Sequence, residues 1–129
     1  MKIINVIIVV NTAETLTSGN ITNNVYLVDN NGFIGSWGEG GATLHTVAQD
    51  GDLIQWHAVP VSLRGDVAIT GFSGQMVEQA ICQPQNEAVN DNPWFGRVES
   101  RGQFSFFSYV VSVLLGEKTF FLNSAIKVV

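Results

Sequence analysis

Residues 50–72, DGDLIQWHAVPVSLRGDVAITGF, contain two stretches of alternating apolar and polar side chains separated by a turn. In the first stretch Ile54, Trp56 and Ala58 fall on one face of an extended chain, whereas His57 falls on the other. A period of two is typical of a strand with one buried face. We therefore predict a strand here, with the indole of Trp56 in the core.

The second stretch predicts another strand, in which Val67, Ile69 and Gly71 share one face and the intervening residues share the other. Pro60 cannot donate to a sheet ladder, and residues 64–66, Arg-Gly-Asp, supply turn chemistry. A bend between the two strands follows from these residues.

The rest of the chain repeats this pattern of short apolar segments and turn signals. Its 129 residues are enough to bury a core without disulfides or metals. Turn signals about every ten residues predict an all-β, single-domain β-sandwich over residues 1–129, immunoglobulin-like or jelly-roll-like, with roughly eight to ten short antiparallel strands. The other predicted strands are residues 3–10, 25–28, 33–37, 42–48, 103–115, 118–122 and 125–129.

Several of these segments carry more specific predictions. Residues 3–10 are nearly all apolar, which favours a strand buried on both faces or a central strand. Residues 29–32, Asp-Asn-Asn-Gly, predict a hairpin turn. Residues 75–82 fit a strand or a short helix, and we favour the strand. Residues 104–115 are apolar enough to pair edge to edge with another chain if they lie at a sheet border.

Two stretches are predicted to be irregular. Residues 11–24 are polar and lack an apolar period, so they indicate a loop with one helical turn at residues 13–16. Residues 83–101, hereafter the Trp94 loop, hold two prolines and three asparagines and form the longest predicted connection. Loops of this length in compact domains are often functional.

Composition excludes several classes of partner. The net charge is −5, and the six basic residues are scattered, so no cluster neutralises a row of phosphates. We predict no nucleic-acid partner and no membrane insertion, because the apolar runs are too short for a spanning helix. The single Cys82 and the absence of a signal-peptide pattern predict a cytoplasmic location.

No metal site is predicted. His45, His57 and Cys82 are the only imidazole and thiol groups, and a blue-copper site needs a Cys and a second His close together near a Met. Residues 29–32 resemble the start of a calcium loop, but Gly40 stands where the bidentate glutamate is required.

Enzymatic chemistry is not predicted either, and no cofactor is expected. Asp50, Asp52 and Asp66 are spaced to flank a hard cation, but Asp-Gly-Asp more often serves a turn. Ser73 lies between glycines without the G-x-S-x-G spacing of a nucleophile elbow. No pair of carboxylates stands in an apolar context that would separate their pKa values.

The sequence NDNPWFGR at residues 90–97 holds the candidate site. An aromatic pair beside amides, an acid and an arginine is typical of sugar recognition or of an interface. The favoured alternative is that the aromatic pair anchors the loop onto the sandwich; an assembly contact or a small-ligand or glycan site are the other interpretations. The candidate residues are Asp91, Asn92, Trp94, Phe95 and Arg97, extended by Trp37 and Glu39.

Three blocks carry a family resemblance: NNVYLVDNNGFIGSWGEG at residues 23–40, LHTVAQDGDLIQWHAVPVS at 44–62 and DVAITGFSGQMV at 66–77. They resemble the PixA/AidA-like inclusion-body proteins of Gram-negative bacteria, over nearly the whole chain and without a catalytic motif. The resemblance implies a cytoplasmic protein that is abundant late in growth or under cell-density control, packs into inclusions and in some relatives affects an animal host. Inclusion-forming members are rich in methionine, whereas this chain has only Met1 and Met76.

The sequence therefore predicts a non-enzymatic protein that self-associates as a homo-oligomer or a higher assembly and accumulates in inclusion bodies. The alternative is a lectin-like or small-ligand-binding module, or a host-directed effector, that uses the Trp94 loop to bind a glycan or small molecule.

Overall fold

A computed structural model describes residues 2–30, 41, 43–61, 65–86 and 94–129. Within these ranges, two α-helices and one 3₁₀ helix accompany the strands: α1 (Thr12–Ser18), α2 (Gln75–Glu78) and the 3₁₀ turn Thr22–Asn24. The strands are β1 (Ile3–Val10), β2 (Val25–Asp29), β3 (His45–Ala48), β4 (Leu53–Pro60), β5 (Ala68–Ser73), β6 (Trp94–Arg97), β7 (Phe106–Leu115) and β8 (Lys118–Val128).

The strands form two four-stranded sheets. The first sheet has the order β2-β1-β4-β6, and the second has the order β3-β8-β7-β5. Buried side chains from both sheets form one core, so the prediction of an all-β sandwich is confirmed. One detail differs: β1 pairs with β4, and β3 with β8, in parallel, whereas the other pairings are antiparallel.

The two strands of the opening stretch belong to different sheets. β4 lies inside the first sheet, and β5 is an edge strand of the second. Ile54, Trp56 and Ala58 are buried as predicted, and His57 lies on the outward side. Pro60 is the last residue of β4, where a missing N–H costs little. The chain therefore crosses between the two layers after Pro60.

A bulge in β5 overturns part of the predicted alternation. The register with β7 passes from Ile69 opposite Val113 to Gly71 opposite Ser112, so Thr70 is an additional residue. A bulge moves every later side chain to the other face. Phe72 consequently points inward, and the prediction that Gly71 lies on the same face as Ile69 is wrong.

The core between the sheets is centred on an aromatic cluster. The rings of Trp56 and Phe72 lie 4.7 Å apart, and the Trp56 and Tyr109 rings meet edge to face at 6.0 Å. The Trp56 Nε1–H donates to the Tyr109 hydroxyl over 3.4 Å, so the buried indole has a polar partner. Fully buried aliphatic side chains surround this cluster: Ile4, Ile8, Leu27, Leu44, Ile54, Leu115, Leu122 and Ile126.

β1 is a central strand, but only one of its faces is buried. It lies between β2 and β4, with Ile4 and Ile8 in the core. Ile3 and Ile7, on the opposite face, are 45% and 37% exposed. The central position is thus confirmed, and burial on both faces is wrong because no described layer covers the outer side of the first sheet.

The segment after β1 is more helical than predicted. α1 extends beyond the single turn expected at residues 13–16 because both of its ends are capped. The Asn11 Oδ1 accepts from the Glu14 N–H over 3.3 Å at the start. Gly19 ends the helix in the left-handed conformation, with φ of 71°.

Residues 75–82 begin with a helix, so the preference for a strand is wrong. α2 opens at Gly74, whose φ of 100° turns the chain out of β5. The Gly74 carbonyl accepts from the Glu78 N–H over 2.9 Å, and Met76 is fully buried. The helix therefore closes one end of the core.

The C-terminal hairpin differs from the prediction in two ways. β8 is one continuous strand, since Asn123 and Ser124 stay paired with β7. β7 lies between β8 and β5, so it is not the border strand that edge-to-edge pairing of residues 104–115 requires. The predicted strand at 25–28 is β2, whereas its predicted partner at 33–37 lies outside the described residues.

Candidate functional site

The described end of the Trp94 loop is a strand, so the prediction of an irregular connection is wrong there. β6 pairs with β4, with Trp56 opposite Trp94 and Gln55 opposite Phe95. On the other side of β6, the Phe95 N–H and carbonyl bond to the backbone of Gln85 over 2.9 and 2.8 Å. β6 is thus hydrogen-bonded to β4 along one edge and to Gln85 along the other. This pairing determines which of its side chains face the core.

Close packing also holds β6 in place. A Cβ at Gly96 would lie 2.6 Å from the Cys82 Sγ and 3.3 Å from the Pro84 backbone. Such contacts are too close for any side chain, so glycine lets the strand approach residues 82–84. Because side chains alternate along a strand, this fixes Trp94 and Gly96 on the inner side and Phe95 and Arg97 on the outer side.

Trp94 connects the two sheets. Its Nε1–H donates to the Ile69 carbonyl of β5 over 3.0 Å, and its ring lies 5.6 Å from the Phe72 ring. The side chain is half-buried and packs against the core. These contacts are those of an anchor between layers, in which the polar atom of the indole is already satisfied.

Phe95 and Arg97 line a shallow cleft outside β6. The cleft has a volume of about 240 Å³ and is also lined by Leu53, Gln83, Gln85 and Glu99. The Arg97 Nη1–H donates to the Gly51 carbonyl over 2.9 Å, which orients the guanidinium along the cleft wall. Its walls thus combine an aromatic ring, amides and charges of both signs.

The structure brings together only part of the predicted site. Trp94, Phe95 and Arg97 share β6, with Trp94 on the side opposite to the other two. Trp37, Glu39, Asp91 and Asn92 lie outside the described residues.

The Cys82 thiol and the Tyr109 phenol are buried and stay protonated near neutral pH. Burial, and to a smaller degree the charge of Glu99, raises the pKa of the Cys82 thiol to about 12. Burial raises the pKa of Tyr109 to about 12, although its hydrogen bond with Trp56 opposes the shift. Over the described ranges, no three His, Cys, Asp or Glu side chains are grouped as a metal site would require.

The carboxylates of Asp50 and Asp52 accept hydrogen bonds from backbone N–H groups, as is usual for turn residues. The Asp50 Oδ1 accepts from the Ser100 N–H over 2.7 Å. The two Asp52 oxygens accept from the Lys2 and Gln49 N–H groups over 3.1 and 2.9 Å. Both carboxylates therefore join the turn before β4 to distant segments.

A surface that the sequence interpretation missed lies on the outside of the first sheet. Apolar side chains project outward from β1, β2 and β4 in neighbouring rows, because Ile7 pairs with Val28 and Val9 with Val59. One of the two interpretations of residues 3–10, a strand buried on both faces, leaves no place for such a surface. We define the first-sheet outer face by its apolar members: Ile3, Ile7, Val9, Tyr26, Val28, Leu53 and Val59.

No helix in the described parts of the chain has the length and apolar character needed to cross a bilayer. The fold is shared with a solved structure, that of an inclusion body protein, PixA, from Burkholderia cenocepacia J2315. The two chains are 14% identical and superpose with a TM-score of 0.75 over 99% of this chain and 96% of the other. The resemblance to PixA-like proteins is thus confirmed at the level of the fold.

A search among curated proteins found no match. A family model matches residues 2–120, which is most of the chain, and it is described as a domain of unknown function, DUF8788. This chain therefore belongs to the DUF8788 family.

Proposed function

We propose that this chain is a non-enzymatic β-sandwich of the inclusion-body kind, which self-associates and accumulates as inclusions in the bacterial cytoplasm. Regulation by growth stage or cell density and a role in host interaction belong to the same proposal. The observation that carries it is the first-sheet outer face.

The first-sheet outer face is mostly apolar and almost uncharged. The other outward positions of β1 and β4 hold neutral polar side chains and one imidazole: Asn5, Gln55 and His57. Its large side chains include Tyr26, which is 54% exposed, together with Ile3 and Ile7. Among the outward positions of the four strands, Arg97 is the one side chain with a permanent charge. Large apolar patches of this kind on a protein surface mark interaction sites.

Two other observations support self-association. Charged residues are 13% of the chain, about half of the usual quarter, so few charged side chains lose their hydration when copies associate. The solved structure that shares the fold is itself described as an inclusion body protein.

Sedimentation of the purified chain at increasing concentration tests the proposal. We expect the mean mass to rise with concentration, and a double variant Ile7→Lys with Tyr26→Lys to shift this rise to higher concentration. The matched control is Thr17→Lys with Thr22→Lys, which adds the same charge at two exposed positions outside the sheets. In cells grown to late phase, the chain carrying a fluorescent label is expected in dense foci.

A chain that stays monomeric up to millimolar concentration, and diffuse in late-growth cells, would contradict the proposal. Equal effects of the two double variants would show that charge alone, and not the first-sheet outer face, controls association.

The cleft beside β6 supports a second candidate function, the binding of a small polar ligand such as a monosaccharide. The Phe95 ring offers a face for stacking, and the Gln83 and Gln85 amides with Arg97 and Glu99 offer hydrogen bonds. Its volume of about 240 Å³ lies below the usual range for drug-sized ligands, which favours a single sugar ring.

A glycan array followed by titration tests this candidate. Phe95→Ala is expected to abolish the response, whereas Phe104→Ala, an exposed phenylalanine away from the cleft, keeps it. Trp94→Ala is a poor probe here, because it also removes a contact between the sheets. Absence of a response to every sugar on the array would reject the candidate.

A further inference from the structure

One segment of β8 has no strand beside it on the side away from β7. β3 pairs with β8 only from Ala125 to Val128, and β7 covers the whole opposite side. In the described part of the chain, residues 119–123 therefore form an open sheet edge, hereafter the open edge of β8.

The backbone groups of this edge point outward. The Ala125 N–H is directed away from β7, since it donates to the Leu44 carbonyl over 3.1 Å. N–H and C=O groups alternate sides along a strand, so those of Thr119, Phe121 and Asn123 point the same way. The described backbone carries no other hydrogen bond to these three residues. An unpaired row of this kind is a template for another strand.

We propose that the open edge of β8 pairs with the same edge of a second copy, antiparallel about a two-fold axis at Phe121. The inference rests on the proposed self-association and assigns its first contact to the open edge of β8. The two second sheets then join into one continuous sheet of eight strands.

The register follows from the limits of the edge. β3 and its preceding residue Leu44 occupy the edge at Ala125, and the turn at Gly116 ends it on the other side. Only a register centred on Phe121 uses the whole open segment of both copies. Thr119 then faces Asn123 of the second copy, and the three facing pairs supply about six backbone hydrogen bonds.

The side chains of this edge suit a second copy. The pairing places the two Phe121 rings, each 62% exposed in the single chain, against one another across the axis. Thr119 and Asn123 meet as neutral, hydrogen-bonding side chains. Lys118 lies opposite Ser124 of the second copy, so the two Lys118 ammonium groups are about 20 Å apart along the strands, beyond the ~8 Å screening length.

The strength of the contact is limited by its size. A five-residue strand pair buries less than the ~1,200 Å² of a stable interface. We therefore expect a weak dimer, formed at high protein concentration, to which the first-sheet outer face adds further contacts. This concentration dependence suits a protein that accumulates.

Cysteine cross-linking tests the register. Facing residues of a hydrogen-bonded antiparallel pair have Cα atoms about 5.5 Å apart, within the span of a disulfide. Phe121→Cys is expected to give a covalent dimer on mild oxidation. Asn123→Cys is the matched control, because the two copies of residue 123 lie about 14 Å apart in this register and give none. Cys82 is present in both variants and is buried.

Substitution by charge tests the edge independently. Phe121→Lys is expected to raise the dimer dissociation constant at least tenfold in sedimentation, because two desolvated ammonium groups would face each other. Phe104→Lys, at an exposed phenylalanine outside the strands, is expected to behave as the wild type.

The outcomes separate the two proposals. A wild-type chain that is monomeric at every concentration overturns the self-association proposal and the edge with it. If the wild-type chain associates but Phe121→Lys and Phe104→Lys behave alike, self-association stands and pairing at the open edge of β8 is rejected. Equal cross-linking of the two cysteine variants rejects that pairing in the same way. Pairing of the wild-type edge only with a foreign extended peptide also overturns it.

Discussion

Aromatic side chains occupy two contrasting regions of this molecule, the space between the sheets and their outer surfaces. Trp56, Phe72 and Tyr109 contact one another in the core, whereas Tyr26 and Phe121 project from the outer sides of the first and second sheets. The first group stabilises the fold. The second contributes little to the single chain and is free to contact another molecule. The same chemistry thus serves stability or association according to its side of the sheet.

Replacing Trp56 by alanine is expected to give the largest loss of stability. The side chain is 1% exposed and contacts Phe72 and Tyr109, so the substitution should lower the free energy of unfolding by about 3–5 kcal/mol. Urea unfolding followed by circular dichroism measures the change. Tyr26→Ala is the matched control, with an expected change within about 0.5 kcal/mol. Similar losses in the two variants would remove the distinction between the regions.

Alkaline pH should reveal the burial of Tyr109. The folded chain keeps the phenol protonated up to a pKa of about 12, whereas the unfolded chain releases that proton near its ordinary pKa of 10. Above pH 10 the unfolded state therefore binds fewer protons, and the free energy of unfolding falls with rising pH. The slope approaches about 1.4 kcal/mol per pH unit between the two pKa values, so the loss by pH 12 is roughly 2 kcal/mol.

Comparison with Tyr109→Phe isolates this contribution. The variant has no phenol to ionise, so its unfolding free energy should fall less steeply between pH 10 and 12. The Cys82 thiol, whose pKa is also raised to about 12, remains in both proteins, so the difference between the two profiles reports Tyr109 together with its coupling to Cys82. Parallel pH profiles for the two proteins would contradict the burial of an un-ionised Tyr109.

Trp94→Phe should have a smaller effect, because it keeps an aromatic ring beside Phe72. It removes the hydrogen bond to the Ile69 carbonyl and the smaller part of the indole's packing. We expect a loss of about 1–2 kcal/mol in urea unfolding. Phe95→Leu, on the outer side of the same strand, serves as the control with little change. A larger loss for Phe95→Leu would reverse the assignment of inner and outer faces on β6.

The smallest stability effect is expected for Phe121→Lys. Its side chain lies on the open edge of β8, so the free energy of unfolding, measured at a concentration where the chain is monomeric, should change by less than about 0.5 kcal/mol. Loss of association without loss of stability would complete the contrast with Trp56→Ala. A loss above 2 kcal/mol would show that Phe121 belongs to the core of the single chain.

The alternation of residues 53–60 was enough to predict β4 and the buried position of Trp56. The bulge at Thr70 was not predictable in this way, because one additional residue leaves the pattern of side-chain types unchanged while reversing their faces. The separation of Trp94 from Phe95 also depends on pairing with β4, which lies about 40 residues away and leaves no local signal.

The open edge of β8 depends on where another strand stops. Residues 118–122 and 125–129 were enough to predict strands at this end of the chain, but the length of β3 determines which part of β8 is covered. Burial of β1 on both faces, one of the two interpretations of residues 3–10, is wrong for a related reason. An apolar run shows that both faces of a strand could be buried. Whether the second face is buried depends on whether another layer of the fold covers it.

The parallel pairings also have a consequence for how fast the chain folds. β1 pairs with β4 across about 50 residues, and β3 pairs with β8 across 80, since His45 lies opposite Ala125. Contacts so distant in sequence form only after large loops close, and closing a loop costs chain entropy before the contact stabilises the fold. Proteins dominated by such contacts fold in milliseconds to seconds. The edge of β8 next to β3 stays uncovered until these loops close, so the partly folded chain exposes a longer template for intermolecular pairing than the folded one.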